Sequence, residues 1–270
     1  MKINMLKFLR NFKRSIKWRY ELLLFSKRSR SHLFPRLPED KYLLLVPHSD
    51  DEWMTNSCML NRKNVVVVNL DMLGGDSTEL HQIRRSELKT TCLKYNRKLI
   101  TVDKNKVVVM SKILEKELPA TVVVPFFVDW HSEHLEVIKI LHDSLRSLNN
   151  LKMPKVCTYS VSCPMPYEAI THIEPMNRYE WKKKWKYFFQ HYVTQRSIPY
   201  KRFAYCDRFV GKIGNVFSGE AYRIVDVSEW YREFDSIKLN VRDICLLKNN
   251  LGSIISLYET SNSIYKQLYL

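Results

Sequence analysis

The sequence predicts an α/β fold: a mostly parallel sheet with helices on both faces, preceded by a basic helical extension. Three observations carry this. Short runs rich in β-branched residues recur at 42–46, 65–70, 99–102, 121–128 and 155–161. Stretches with helical spacing, 52–60, 79–95, 106–118 and 132–148, alternate with them. The runs are apolar nearly throughout, as expected of strands covered on both faces. The sum is a Rossmann-like arrangement.

The elements follow in order. In the extension, residues 1–40, Met5, Leu9, Phe12, Ile16, Tyr20 and Leu23 recur at helical spacing. Lys7, Arg10, Lys13, Arg14, Lys17 and Arg19 fill the other positions, and the basic stretch Lys27, Arg28, Ser29, Arg30 follows. Two readings fit. Residues 1–31 lie in the plane of an anionic membrane, or a terminal helix packs its apolar stripe on its own domain. Residues 41–270 form that domain. Its first strand runs into Pro47, its second carries four consecutive valines, and the later strands and helices keep the alternation up to Cys163. Beyond it the pattern weakens to a Trp-, Lys- and Tyr-rich helix around 180–193, then loops and two or three further strands. Lys182, Lys183 and Lys184, flanked by Trp181 and Trp185, read as a solvated face or a contact for phosphate.

A chain of 270 residues with 45% apolar and 27% charged residues is long enough for a sizeable core and excludes wholesale disorder. Six glycines exclude Gly-rich repeat folds. The six cysteines are scattered without CxxC spacing, which reads as buried thiols in a reducing compartment. No apolar run approaches the roughly 18 residues of a membrane span. Recurring basic residues break the apolar stretch a secretory signal needs. A cytoplasmic protein that meets a membrane surface is expected. The formal charge of +16 favours acidic partners.

Two clusters carry chemistry. The first strand ends in Pro47, His48, Ser49, Asp50, Asp51, Glu52. Acids at a helix start complement its dipole, but that accounts for neither the histidine nor the adjacent aspartates. The fourth strand ends in Asp129, Trp130, His131, Ser132, Glu133, His134. His131 and His134, three apart, share one face of a helical turn. The carboxyl ends of parallel strands are where such sheets bind ligands, and imidazoles with a carboxylate are donors zinc accepts. HxxH alone is weak; paired with HxDD it is far more specific.

These residues resemble the motifs of the LmbE-like, or PIG-L-like, zinc-dependent N-deacetylases, (A/P)HPDDE and HPDH or HxxH. Residues 47–52 match the first, with Ser49 for proline. Residues 131–134 match the second, with Ser132 for proline and Glu133 for aspartate. Ile83 to Leu88 followed by Cys92 resembles the family's RxxEL helix, and 183–195 its later K…YSQ segment. The resemblance spans about residues 41–195, and more faintly 219–222.

By matching position, the resemblance implies zinc, or another divalent metal, on His48, Asp51 and His134, leaving a fourth position for water. It implies Asp50 as general base, and His131 as proton donor to the amine or as support for the oxyanion. Glu133 takes the place of the acid that orients the catalytic histidine, or is a helix-start acid. Arg84 is implied as a substrate contact; alternatively it forms an ion pair with Glu87 one turn away. Asp129 holds a sugar hydroxyl or caps the helix.

The expected reaction removes acetyl from an N-acetylated amino sugar of the N-acetylglucosamine type, in glycolipid or polysaccharide assembly. The charge and the basic extension favour a lipid- or phosphate-linked conjugate. Two other classes compete: a zinc-containing sugar-binding protein without turnover, and a basic nucleic-acid-binding module. No nucleic-acid motif appears and the basic residues are dispersed, so no nucleic acid is expected as a partner.

Overall fold

The computed structural model describes residues 2–26, 33–72, 77–148, 152–195, 200–236 and 239–269, with side chains described from 12 to 268. Five strands run parallel: β1 (Tyr42–Val46), β2 (Val65–Asn69), β3 (Lys98–Thr101), β4 (Thr121–Pro125) and β5 (Lys155–Tyr159). Two more, β6 (His172–Met176) and β7 (Ser218–Val225), complete a sheet of order β3-β2-β1-β4-β5-β7-β6, with β7 antiparallel to both neighbours. The first helices are α1 (Lys2–Ser26), α2 (Asp51–Met54), α3 (Ser57–Leu60), α4 (Thr78–Lys94), α5 (Lys106–Glu117) and α6 (Ser132–Arg146). After β5 come α7 (Arg178–His191), α8 (Tyr200–Ile213), α9 (Val227–Ser236), α10 (Val241–Asn249) and α11 (Ile254–Tyr269).

Every residue of β1, β2 and β4 is buried, because successive side chains feed opposite layers. Leu43 and Leu45 enter one apolar layer with Met110, Leu114, Ile138 and Leu141. Tyr42, Leu44 and Val46 enter the other with Trp53, Leu60, Leu88 and Phe188. Helices therefore cover both faces, as the unbroken apolar runs require.

The strand order reverses between β1 and β4. Connections after β1 lead outward to β2 and β3 on one side, and those after β4 lead to β5 on the other. Their carboxyl ends flank a crevice at this switch point, the place where open parallel sheets bind ligands. His48, Asp50 and Asp51 after β1, and Trp130, His131 and His134 after β4, line it.

Several expectations change. The helix expected at 52–60 is two short helices separated by Thr55 and Asn56. The chain after 195 is mostly helical rather than loops and strands; β7 is its one strand among the described residues. In α8 the inward face mixes Phe203, Ala204 and Val210 with buried Arg202 and Asp207, which blurs the apolar period. Lys184, expected on a solvated face, is 3% exposed. Its Nζ donates to Asp207 at 3.1 Å and Glu220 at 2.9 Å, so a buried cation is matched by two buried acids. Cys92, Cys157 and Cys163 are buried as expected, but Cys245 is exposed.

The extension's helix packs on the domain, though not by the expected stripe. Trp18, Leu22 and Phe25 face inward, with Trp18 against Tyr205 and Phe25 against Phe209 of α8. Glu21 Oε2 accepts from the backbone N–H of Ile254 at the start of α11. Phe12, Ile16, Tyr20 and Leu23 are instead exposed. The side chains of Met5, Lys7, Leu9 and Arg10, and residues 27–30, lie outside the described residues. No described helix is long and apolar enough to cross a membrane.

Candidate active site

His48 follows β1 by two residues, and Asp51 begins α2. The turn closes on itself: the His48 backbone N–H donates to Asp51 Oδ2 at 3.1 Å, and Asp50 N–H donates to the His48 carbonyl at 2.9 Å. Asp51 Oδ2 is thereby turned toward the His48 ring, 3.3 Å from Nδ1. The opposite ring nitrogen, Nε2, donates to Glu133 Oε2 at 2.6 Å. Glu133 comes from the first turn of α6, across the crevice.

His134, one residue further on, repeats the arrangement. Its Nδ1 donates to Asp129 Oδ2 at 2.9 Å, and its Nε2 lies 3.8 Å from Asp51 Oδ2. Two imidazoles thus each have one nitrogen held by a carboxylate and the other facing Asp51. Carboxylate-backed histidines are the usual arrangement around a bound metal, because the acid fixes tautomer and ring orientation.

Donors on a tetrahedral zinc ion at about 2.0–2.1 Å stand about 3.3–3.4 Å from one another. Asp51 Oδ2 stands 3.3 Å from His48 Nδ1 and 3.8 Å from His134 Nε2, near this spacing, and two imidazoles with a carboxylate are donors of the right chemistry for such an ion. The electrostatics agree. Burial opposes charge on His48, yet its hydrogen bonds to Asp51 and Glu133 push its pKa up to about 10. His134 is raised against burial by Asp129. Asp51 is lowered, burial being outweighed by the His48 hydrogen bond and the His134 charge. Carboxylates crowd a buried site that calls for positive charge. A second donor set overlaps the first: ring nitrogens of His48, His131 and His134 lie within 4.8 Å of one another.

His131 stacks on His134, with ring centroids 4.5 Å apart. Its Nδ1 is buried without a hydrogen-bond partner. Burial and the neighbouring imidazoles lower its pKa, which keeps the ring neutral near pH 7. Asp50 also faces the cavity, and burial together with Asp51 pushes its carboxyl up to about 7. The cavity measures about 380 Å³, within the range of small-molecule sites. His48, Asp50, Asp51, Arg84, His131 and His134 line it. Trp130, Phe203, Met54 and Leu251 supply its apolar surface.

Three residues sit differently from expectation. Asp129 does not face the cavity: it is 2% exposed, and its oxygens accept from His131 N–H, Ser162 N–H and His134. Its acceptors are spent holding His134, so no sugar hydroxyl is needed to satisfy it. Glu133 meets His48 rather than standing where it would orient His131. Glu87 accepts from the backbone and hydroxyl of Thr194, tying α4 to the turn that carries Gln195, and does not pair with Arg84. Glu52, last of the first motif, lies outside the metal-facing group: buried and held toward its neutral form, it accepts from the Tyr192 hydroxyl.

Sequence reasoning missed Ser162, Trp130, Phe203 and Arg202. Ser162 lies just beyond β5, and the rule that strand ends carry ligand sites points there. The aromatic between Asp129 and His131 was legible as part of the cluster. Arg202 sits in a basic stretch that resembles many others in the chain.

No family model matches the sequence, and no curated protein matches it. Solved structures do. A conserved protein, TT1542, from Thermus thermophilus superposes with TM-score 0.56 at 14% identity, covering 68% of this chain and 94% of its own. The zinc-inhibited form of the teicoplanin deacetylase Orf2 gives 0.52 at 12% identity, covering 68% and 98%. The A40926 pseudoaglycone deacetylase Dbv21 gives 0.51 at 15% identity, covering 70% and 98%. At these identities the likeness is one of fold. It is an α/β fold that this chain shares with two solved deacetylases.

Proposed function

We propose that this chain is a zinc-dependent N-deacetylase that removes acetyl from an N-acetylated amino-sugar conjugate. One observation carries the reading: two carboxylate-backed imidazoles, His48 and His134, converge on Asp51, with Asp50 beside them on a cavity at the sheet's switch point. The fold shared with a teicoplanin deacetylase and an A40926 pseudoaglycone deacetylase supports it.

In this reading His48, Asp51 and His134 hold the metal. A bound zinc ion supplies Lewis acidity at the acetyl carbonyl and makes water more acidic. Asp50 accepts the proton of the water that attacks the carbonyl carbon. Its raised affinity for protons suits that task near neutral pH. The proton that Asp50 takes from the water is the one the departing amine needs; His131, neutral and set against His134 on the same cavity, relays it to the amine or steadies the oxyanion through its ring N–H. Glu133 and Asp129 fix the two ligand rings. Arg84 reaches the cavity from α4 and Trp130 offers an indole face to a sugar ring. Membrane contact belongs to the exposed row of α1, where Ile16 and Tyr20 stand among Lys13, Lys17 and Arg19.

The test is acetate release from a panel of N-acetylated amino-sugar conjugates by zinc-loaded chain, with a chelated control. Metal-dependent release is expected. A zinc-loaded protein that binds such conjugates but liberates no acetate from any would leave a sugar-binding protein instead.

A further inference from the structure

Amide hydrolysis leaves one group of the cavity without a task. Arg202, in the first turn of α8, lines the cavity and is 5% exposed. Its Nε is buried with no hydrogen-bond partner, and no acid among the described residues forms an ion pair with the guanidinium. The acid one turn further along, Asp207, is committed to Lys184 and Trp185. Asp51 faces the two imidazoles. The Phe203 ring lies 4.8 Å from its Cζ, and the thiols of Cys163 and Cys206 lie near enough to feel its charge.

A guanidinium stays charged at any ordinary pH. Burying one without an acid is costly, and native proteins pair such charges. Lys184, on the adjoining helix, shows the paired alternative within the same molecule. The helix that carries Arg202 packs closely on the sheet: at Gly211 a Cβ would stand 2.5 Å from Ser218 Cα of β7. A fixed fork of N–H donors facing a cavity is suited to oxygen pairs on phosphate or carboxylate.

We infer that Arg202 is the anion-recognition residue of this cavity, and that the substrate is an N-acetylated amino-sugar conjugate carrying a phosphate or carboxylate near the scissile amide. The inference rests on the deacetylase reading for the amide, but the anion site stands on Arg202 itself.

Acetate release by the zinc-loaded full chain is compared for three probes sharing one sugar: methyl N-acetylglucosaminide, N-acetylglucosamine 1-phosphate and carboxymethyl N-acetylglucosaminide. At least one anionic probe should be favoured in kcat/KM by about 10- to 100-fold, the worth of charge-assisted hydrogen bonds. Which one is favoured identifies the anion. Arg202→Gln should abolish that preference through KM, and Arg202→Lys, which keeps charge but loses the fork, should retain part of it. Zinc content and melting temperature are measured for both variants. An unchanged preference in the variants, or no preference in the parent, overturns the inference; so does an equal loss of kcat on all three probes, which would place Arg202 at the reacting carbonyl. If no probe releases acetate, the deacetylase reading fails and calorimetry with inorganic phosphate and with acetate ion decides the anion site. Tighter binding by the parent than by Arg202→Gln supports it, and equal binding overturns it.

Discussion

Asp50 and Asp51 are adjacent aspartates whose surroundings separate them. Asp51 accepts from the His48 backbone and faces two imidazoles, and its carboxyl is held as an anion. Asp50, its near neighbour, is buried beside that charge and is pushed up to about 7. In the proposed mechanism one carboxylate holds a cation and the other exchanges a proton. Asp50→Asn preserves shape but cannot take a proton, so zinc content should persist while turnover falls by a factor on the order of 10² to 10⁴. Asp51→Asn should weaken zinc binding, since an amide is a poorer ligand than a carboxylate, and excess zinc should partly restore turnover. Measuring zinc content and acetate release side by side on both variants checks this; the reverse pattern would exchange the two roles. At this scale the sequence was informative where chemistry needs a fixed residue type at a fixed spacing, as in His48 with Asp51 and His131 with His134. It was not informative about orientation. The reach of Glu133 to His48 across the crevice, and the inward turn of Asp129, depend on how β1 and β4 sit side by side.

At the scale of elements, α1 has two faces in different surroundings. The inward face, Trp18, Leu22 and Phe25, is tied to α8 and α11 by ring contacts and by the Glu21 hydrogen bond to Ile254. The outward row includes Ile16, 51% exposed, and Tyr20, 60% exposed, which no packing in the domain requires. Trp18→Ala should therefore lower stability by about 3–5 kcal/mol, the usual cost of removing a buried aromatic, read by denaturant melting. Ile16→Ser with Tyr20→Ser should leave melting nearly unchanged yet reduce sedimentation with anionic vesicles. Equal vesicle binding by parent and double variant would remove the membrane role from this face. The stripe legible in the sequence is the outward one, because both faces of α1 carry apolar residues at helical spacing and periodicity cannot say which one meets the domain. The strands were legible for the converse reason: β1, β2 and β4 are buried on both sides, and a continuous apolar run is hard to read otherwise. The helices α8 to α11 were obscured where buried polar residues such as Arg202, Asp207 and Asp243 interrupt the apolar pattern.

Over the whole molecule, the order of strands brings distant residues to one place. His48 and His134 are separated by 86 positions in sequence, yet they meet because β1 and β4 are neighbours at the point where the sheet changes direction. The later helices then close the cavity, with Phe203 and Arg202 from α8 and Leu251 from the α10–α11 turn. Two donor sets overlap there, and they differ in whether Asp51 or His131 joins His48 and His134. In the proposed mechanism His48, Asp51 and His134 hold the metal, and His131 is left free for the substrate. Zinc titration of the parent, His48→Ala, Asp51→Asn, His134→Ala and His131→Ala tests that assignment most directly. Parent and His131→Ala should each take up one ion per chain with similar affinity, while the other three bind much more weakly. Stoichiometric zinc retained by His48→Ala or His134→Ala, or lost from His131→Ala, would contradict it.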